Sequence, residues 1–428
     1  MDSYWTATNR RINAVFKILP SMARHIEEFV LHSWHIEWHD GHPTTPPLFS
    51  GSAPRLRVLS IVQLSFVPTD HFPDLQELYI TLRNTPKLPQ LPVNMLRGSP
   101  MLKYVHISAP HLRVPPDGAP NDRVRASLPR LRAIVLCIGH NTSSLLSDLV
   151  LPPSCLVRIQ LEDAFLSEVS PCLEALEMHL DAGPLTKLSW STGTSMGFTM
   201  NHKPTHDMLY ITLCNATADS GLQLGISLPV PRSRSRARSV FADVLRGAIT
   251  ASPLYANVTE LSVSAERNLV DSTLLDSLHS LTTINHIFSA ALARSGAIGA
   301  RTRRRRRDTP RVPLLARAGG PDGALVCPAL HTLYFIGCGA AELRDARDIL
   351  QARKEAGRPL TRLGIDCSAR LREDVGALGG LVDELDVAFT DEPGYEEVSW
   401  SRSVLKGGWR SHSARARYEW PQWSEFHE

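Results

Sequence analysis

Two clusters in this chain have the residue types and spacing of chemical sites. The first is Gly193-Thr-Ser195-Met-Gly197. A serine set between glycines at this spacing is the nucleophile elbow of hydrolases, where a strained strand-to-helix turn lifts the hydroxyl towards a substrate carbonyl. Lys187 to Trp190 supplies a strand before it, but Phe198 to His206 after it carries Thr, Asn and Pro204 and is a poor helix. A triad also needs an acid and a histidine placed by a doubly wound sheet. The second cluster is His32, His35, His39 and His42, with Asp40 among them. Imidazoles three or four residues apart can share a metal when they lie on one helix face. Here they run from a strand through Trp34 and Trp38 into Gly41, with no cysteine near. A serine hydrolase through Ser195 is therefore a third, subordinate reading. The chain is expected to be no enzyme, with no catalytic set, no metal and no cofactor.

The elements that would position any site come from a recurring phrase. It reads Pro54-Arg-Leu56-Arg-Val-Leu59-Ser-Ile61, Pro73-Asp-Leu75-Gln-Glu-Leu78-Tyr-Ile80, Pro100-Met-Leu102-Lys-Tyr-Val105-His-Ile107 and Pro129-Arg-Leu131-Arg-Ala-Ile134-Val-Leu136. Its first anchors are Ile26, Leu56, Leu75, Leu102, Leu131, Leu156, Leu185, Val258, Leu330, Leu360 and Val382, and the early steps are 30, 19, 27, 29, 25 and 29 residues. Leucine-rich repeats recur every ~20–29 residues. The expected fold is α/β: an irregular leucine-rich-repeat solenoid, with short parallel strands on a concave face and helices and loops outside. Strands are predicted at 29–31, 59–61, 78–80, 105–107, 134–136, 159–161, 261–263, 333–335, 363–365 and 385–387. Helices are predicted over 93–97, 241–249, 274–292 and 341–356, the last ended by Gly357 and Pro359.

Breaks in the pattern suggest an organisation. Residues 1–24 read as a lead or cap and 25–230 as repeats. A basic Arg/Ser loop follows at 231–240, then degenerate repeats with helices over 241–298. An Arg-rich insertion occupies 299–325, repeats resume over 326–390, and a tail with Trp400, Trp409, Trp420 and Trp423 closes the sequence at 391–428. Segments 231–239 and 299–325 are expected to lack regular structure, because they cannot bury enough apolar surface to offset ordering. The run Arg303 to Arg307 reads either as a solvated insertion or as a nuclear import signal.

Net charge is +3, so no global field draws nucleic acid. The seven cysteines show no C-x-x-C spacing, which suits free thiols in a reducing compartment. No apolar run reaches the ~18 residues of a membrane helix, and the opening residues lack a signal peptide's apolar core. These features point to a cytoplasmic or nuclear protein.

The phrases Ala53-Pro-Arg-Leu-Arg-Val-Leu, Phe72-Pro-Asp-Leu-Gln-Glu-Leu and Ser99-Pro-Met-Leu-Lys-Tyr-Val resemble the leucine-rich half of fungal F-box proteins of the basidiomycete type. So does the entry Arg24-His-Ile26-Glu-Glu-Phe29-Val-Leu31. The resemblance spans residues 20 to 390. It implies a substrate receptor of a ubiquitin ligase, in which the F-box grips a Skp-type adaptor and the repeats hold the target. The F-box itself is not visible: Leu19-Pro20-Ser-Met-Ala-Arg24 is the only similar string, and Met22, Ala23 and Arg24 depart from it. An adaptor is expected as a partner only if an F-box lies upstream. Without one, the chain reads as a stand-alone interaction scaffold.

Alternation within a strand turns its apolar residues inward and its intervening residues onto the concave face. That face is expected to carry Glu77, Tyr79, Thr81, Tyr104, His106, Ser108, Arg158, Gln160, Glu162, Tyr334 and Asp366. Tyr and Arg are enriched where few residues dominate an interface. The mixture is neither strongly basic nor apolar, so a protein or peptide is the expected partner, with no membrane and no nucleic acid. Ordinary solvated strand residues would read the same way.

Overall fold

A computed structural model describes residues 18–32, 48–64, 70–82, 93–109, 125–138, 142–177, 185–196, 204–215, 221–229, 234–264, 275, 277–287, 315 and 326–389. In chain order the elements are β1 (Glu28–His32), β2 (Val58–Leu64), β3 (Glu77–Leu82), α1 (Val93–Arg97), β4 (Tyr104–Ala109), β5 (Ala126–Ser127), β6 (Ala133–Ile138), α2 (Thr142–Ser147), β7 (Leu149–Val150), β8 (Leu156–Glu162), α3 (Val169–Glu177), β9 (Lys187–Met196), β10 (Pro204–Cys214), β11 (Gly221–Pro229), α4 (Arg234–Ala251), β12 (Glu260–Ser264), β13 (Thr283–Ile287), β14 (Thr332–Cys338), α5 (Ala340–Glu355), β15 (Arg362–Cys367), α6 (Arg372–Gly376) and β16 (Glu384–Phe389). The architecture is mixed α/β, with large, mostly parallel sheet. The described residues divide into two compact units, one within 18–177 together with 221–227, the other within 185–215 together with 228–389.

In the first unit the strand order is β1-β2-β3-β4-β6-β8-β11, and the pairs are parallel. The phrase explains why. Each copy opens on a tight turn in which the anchor amide donates to the carbonyl three residues back: Leu56 to Ala53 at 3.2 Å, Leu75 to Phe72 at 3.2 Å, Leu102 to Ser99 at 3.2 Å and Leu131 to Leu128 at 3.1 Å. The phrase's proline occupies the second turn position, where its fixed φ is already correct and no amide is needed. A backbone bond, or rung, then joins each copy of the phrase to the previous one. Gln76 N–H donates to the Arg57 carbonyl, Lys103 to Gln76 and Arg132 to Lys103, each at 2.8 Å. Leu56, Leu75, Leu102 and Leu131, with Leu59, Leu78, Val105 and Ile134, stack inward and are buried. α1 and α2 run on the return path, α2 burying Leu145 and Leu146.

One buried carboxylate secures the first return. Asp70 accepts N–H bonds from Leu48 (2.6 Å), Phe49 (2.7 Å) and Gly51 (2.9 Å). It holds a turn whose Ser50 and Gly51 have φ of 55° and 99°. The turn seats Phe49 edge-on between Phe29 and Phe72, with ring centroids 5.4 and 5.9 Å away.

The second unit has the order β10-β9-β12-β13-β14-β15-β16. From β9 onward every pair is parallel. The rungs recur: Thr259 to Thr186 at 2.9 Å, Thr282 to Thr259 at 2.9 Å, His331 to Thr282 at 3.0 Å and Thr361 to His331 at 2.9 Å. Threonine hydroxyls repeat the same contacts, Thr282 Oγ1 to the Thr259 carbonyl at 3.0 Å and Thr361 Oγ1 to the His331 carbonyl at 3.1 Å. α5 turns Leu343, Ala346, Ile349 and Leu350 inward. Gly357 follows it with a φ of 68°, the left-handed step that ends a helix. From its last turn the buried Arg353 reaches the carbonyls of Val326, Cys327 and Leu330, each at 3.1 Å, and so pins the turn that launches β14.

All ten predicted strand segments lie in strands, and helices stand at 93–97 and 340–355. Other expectations are corrected. Residues 274–292 are not one helix: β13 occupies 283–287. Leu278, Leu281 and Ile284 have helical spacing, but they form another copy of the phrase, with the Leu281 amide on the Leu278 carbonyl at 3.1 Å. The 231–239 stretch is not irregular from residue 234, where α4 begins. Arg and Ala are good helix formers, and the buried apolar anchors of this helix, Phe241, Leu245 and Ile249, come later. β9 and β10 form an antiparallel hairpin inside the 25–230 stretch that reads as parallel repeats. Before β8 Cys155, not Leu156, is the turn anchor, its amide 2.9 Å from the Pro152 carbonyl. Apart from Leu315, the insertion 299–325 lies outside the described residues, as does the tail 391–428.

Asp70→Ala strips the acceptor from three amides, and Arg353→Met strips the donors from three carbonyls. Each is expected to cost about 3 kcal/mol, read as a lower thermal or urea midpoint, whereas Arg344→Ala on the exposed side of α5 should stay within ~0.5 kcal/mol.

Candidate partner-binding face

The non-core strand positions align in rows because the registers match. In the first unit one row runs Ser60, Tyr79, His106, Val135, Arg158, Gln223 across β2, β3, β4, β6, β8 and β11. A second runs Glu77, Tyr104, Ala133, Leu156, and a third Thr81, Ser108, Cys137. The predicted residues therefore share one face. Their exposure differs. Glu77, Tyr79, Thr81, Tyr104, Ser108 and Gln160 are half-buried, while His106 and Arg158 are buried, at 6% and 1% exposed. Glu162 pairs in register with Ser227 at the end of β8.

The middle row is a packed polar stripe. The Tyr79 and His106 rings lie 4.4 Å apart at 42°. Burial, helped by the Arg158 charge, pushes the His106 imidazole down to about 3 from an ordinary 6.5, so the ring stacks on Tyr79 in its neutral form. At the margin Cys137 Sγ lies 3.7 Å from Gln160 Oε1. What this face offers is a half-open rim of Glu77, Tyr79, Tyr104 and Gln160 around a buried histidine and arginine.

In the second unit the same positions are more polar and more open. One row runs Lys187, Glu260, Thr283, Thr332, Arg362, Glu384, and the next Ser189, Ser262, Asn285, Tyr334, Gly364, Asp386. Lys187 pairs with Glu260 at 3.7 Å. Asn285 Nδ2 donates to Glu260 Oε1 at 3.0 Å and to Ser262 Oγ at 3.3 Å. Further along, Arg362 donates through Nε and Nη2 to Asp386 Oδ2 at 2.7 and 2.6 Å. Its guanidinium carbon stands 5.9 Å from the Tyr334 ring centre. The ring lies against Gly364, where a Cβ would run into it. Tyr334 and Asp366 are both half-buried here, in neighbouring rows. The sequence missed Lys187, Glu260, Asn285, Arg362, Gly364 and Asp386. The signal available was the phrase at Leu281, which sets the register joining Glu260 and Asn285 to Tyr334.

Ser195 stands within β9, opposite His206 in the antiparallel pair, and not on a strand-to-helix turn. His32 ends β1, and His35, His39, Asp40 and His42 lie outside the described residues. Among the described residues no group of His, Cys, Asp or Glu is placed to hold a metal, and no helix is long and apolar enough to cross a membrane. All seven cysteines are free. No protein-family model matches the chain, and no curated protein matches it.

Because His106 stays neutral when folded and titrates near 6.5 when unfolded, the unfolded chain binds the extra proton between pH 6.5 and 3. Stability is therefore lost as pH falls through that window, by about 2 kcal/mol between pH 6.5 and 5 from this group. His106→Gln should flatten the fall in urea midpoint over that range. Gly364→Ala should displace the Tyr334 ring, seen as a shifted ring signal for that tyrosine by NMR.

Proposed function

We propose that this chain is a protein-binding leucine-rich-repeat protein serving as the substrate-recognition part of an F-box-type ubiquitin ligase receptor. The observation that carries the repeat reading is the recurring unit of tight turn, inter-coil rung and inward anchors. Each unit is too short to bury its own apolar side, and stacking buries it while leaving the intervening residues in rows. Tyrosines, charged pairs and amides on those rows give a protein or peptide both flat aromatic area and directional polar contacts. The ligase link rests on the resemblance of the proline-led phrases to fungal F-box repeat proteins. A stand-alone scaffold is the second reading, favoured by Leu19-Pro20-Ser-Met-Ala-Arg24, whose last three residues depart from an F-box opening.

Affinity purification of the full-length transcript product separates the two. Recovery of a Skp-type adaptor together with a cullin supports the receptor, and its absence from a preparation that still captures a protein partner supports the scaffold. On the face itself, Tyr79→Ala with Tyr104→Ala should weaken partner capture more than ~10-fold while the chain still unfolds in a cooperative thermal transition. Wild-type capture by this double variant would place the interface elsewhere.

A further inference from the structure

The end of β14 departs from simple alternation. Leu333 and Phe335 point inward and are buried, while Tyr334 and Ile336 lie on the opposite side. Strict alternation would turn residue 337 inward and Cys338 outward. Instead the register slips between Ile336 and Cys338. Gly337 takes the extra position with a φ of 69°, a backbone conformation that a side chain disfavours. The slip brings Cys338 opposite Cys367, which follows Leu363 and Ile365 on the core side of β15. Both cysteines are free and buried. Neighbouring strands lie ~4.8 Å apart, inside the Cα separation of about 4.4–6.8 Å that a disulfide accepts. Among the described strand pairs no other two cysteines are register partners.

We propose that Cys338 and Cys367 are a facing dithiol that closes into a cross-strand disulfide when glutathione disulfide is abundant, locking the ends of β14 and β15 together. One thiol, as thiolate, attacks a sulfur of glutathione disulfide. That bond breaks, a mixed disulfide forms and one glutathione leaves. The second cysteine then attacks the protein sulfur of the mixed disulfide and releases the second glutathione. Two electrons and two protons pass to the oxidant, which ends as two glutathione thiols. In the closed fold the pair is held reduced. Burial pushes the Cys338 thiol up to about 12, and Cys367 is raised by the same cause. Reaction therefore waits for opening at this end of the sheet, where β16 is the last of the described strands and its Val387 is 37% exposed. Once closed, the bond ties both flanks of α5, since Cys338 precedes the Gly339 that starts the helix and Cys367 ends the next strand. It restricts the opening that admitted the oxidant.

The test uses the full chain, folded, in glutathione buffers from reducing to oxidising, followed by alkylation and peptide mass mapping without reduction. The expected product is a linked pair of peptides carrying Cys338 and Cys367, lighter by two hydrogens, together with a raised thermal midpoint that dithiothreitol reverses. Cys338→Ser should leave Cys367 either unreacted or singly glutathionylated, with no rise in midpoint. Gly337→Val, which disfavours the bulge, should suppress the linkage. The proposal is overturned if wild-type Cys338 and Cys367 stay free, or carry one glutathione each, while half-buried Cys137 reacts. It is equally overturned if the linked product forms only in urea.

Discussion

A strand of five or six residues cannot satisfy its own backbone, and it buries too little apolar surface to stand alone. In both units that constraint is met in the same way. An amide at the entry to a strand is donated to the carbonyl at the same place before the neighbouring strand, as in Gln76 to Arg57 and Thr282 to Thr259. The anchor leucine, fixed by its tight turn, drops into the interior beside the previous anchor. Turn, rung and anchor are interdependent: the turn aims the leucine, the leucine fixes the strand height, and the height lets the rung form. The rows of outward residues follow from this and need no separate explanation.

Two buried charges serve this geometry. Asp70 and Arg353 lie at opposite ends of the described chain, yet each collects three backbone groups of a turn that feeds a strand. An irregular return path leaves amides and carbonyls that the sheet cannot pair, and burying them unpaired is costly. One ion in each case takes the whole set. The pair His106 and Arg158, with the half-buried Tyr79 beside it, is different, because it belongs to the outward rows and is nonetheless buried. It divides the first unit's face into a packed middle and a half-open rim, whereas the second unit keeps Arg362 and Asp386 exposed beside Tyr334.

The strands were legible because the proline-led phrase couples three signals: a turn residue, an anchor two places on and an alternating pair. Where one signal weakened, reading failed. At Leu278-His-Ser-Leu281-Thr-Thr-Ile284 the proline is missing, and leucines three apart imitate a helix. At Pro152-Pro-Ser-Cys155 the anchor is a cysteine and the strand starts one residue early, so Leu156 was mistaken for it. The β9–β10 hairpin lacked a turn signal within the phrase pattern. Of the face, the sequence reached Tyr79, His106, Arg158, Tyr334 and Asp366 from alternation alone. It did not reach burial, which depends on side chains distant in the chain, nor Asp70 and Arg353, whose roles are set by carbonyls and amides that no local pattern reveals.

Amide hydrogen exchange reads the rungs between neighbouring strands directly. In the first unit the amides of Gln76, Lys103 and Arg132 should be protected together and released in one cooperative opening. The same should hold for Thr259, Thr282 and His331 in the second. Exchange at free-peptide rates for these amides, or protection of one rung while its neighbours exchange freely, would contradict a stacked parallel ladder.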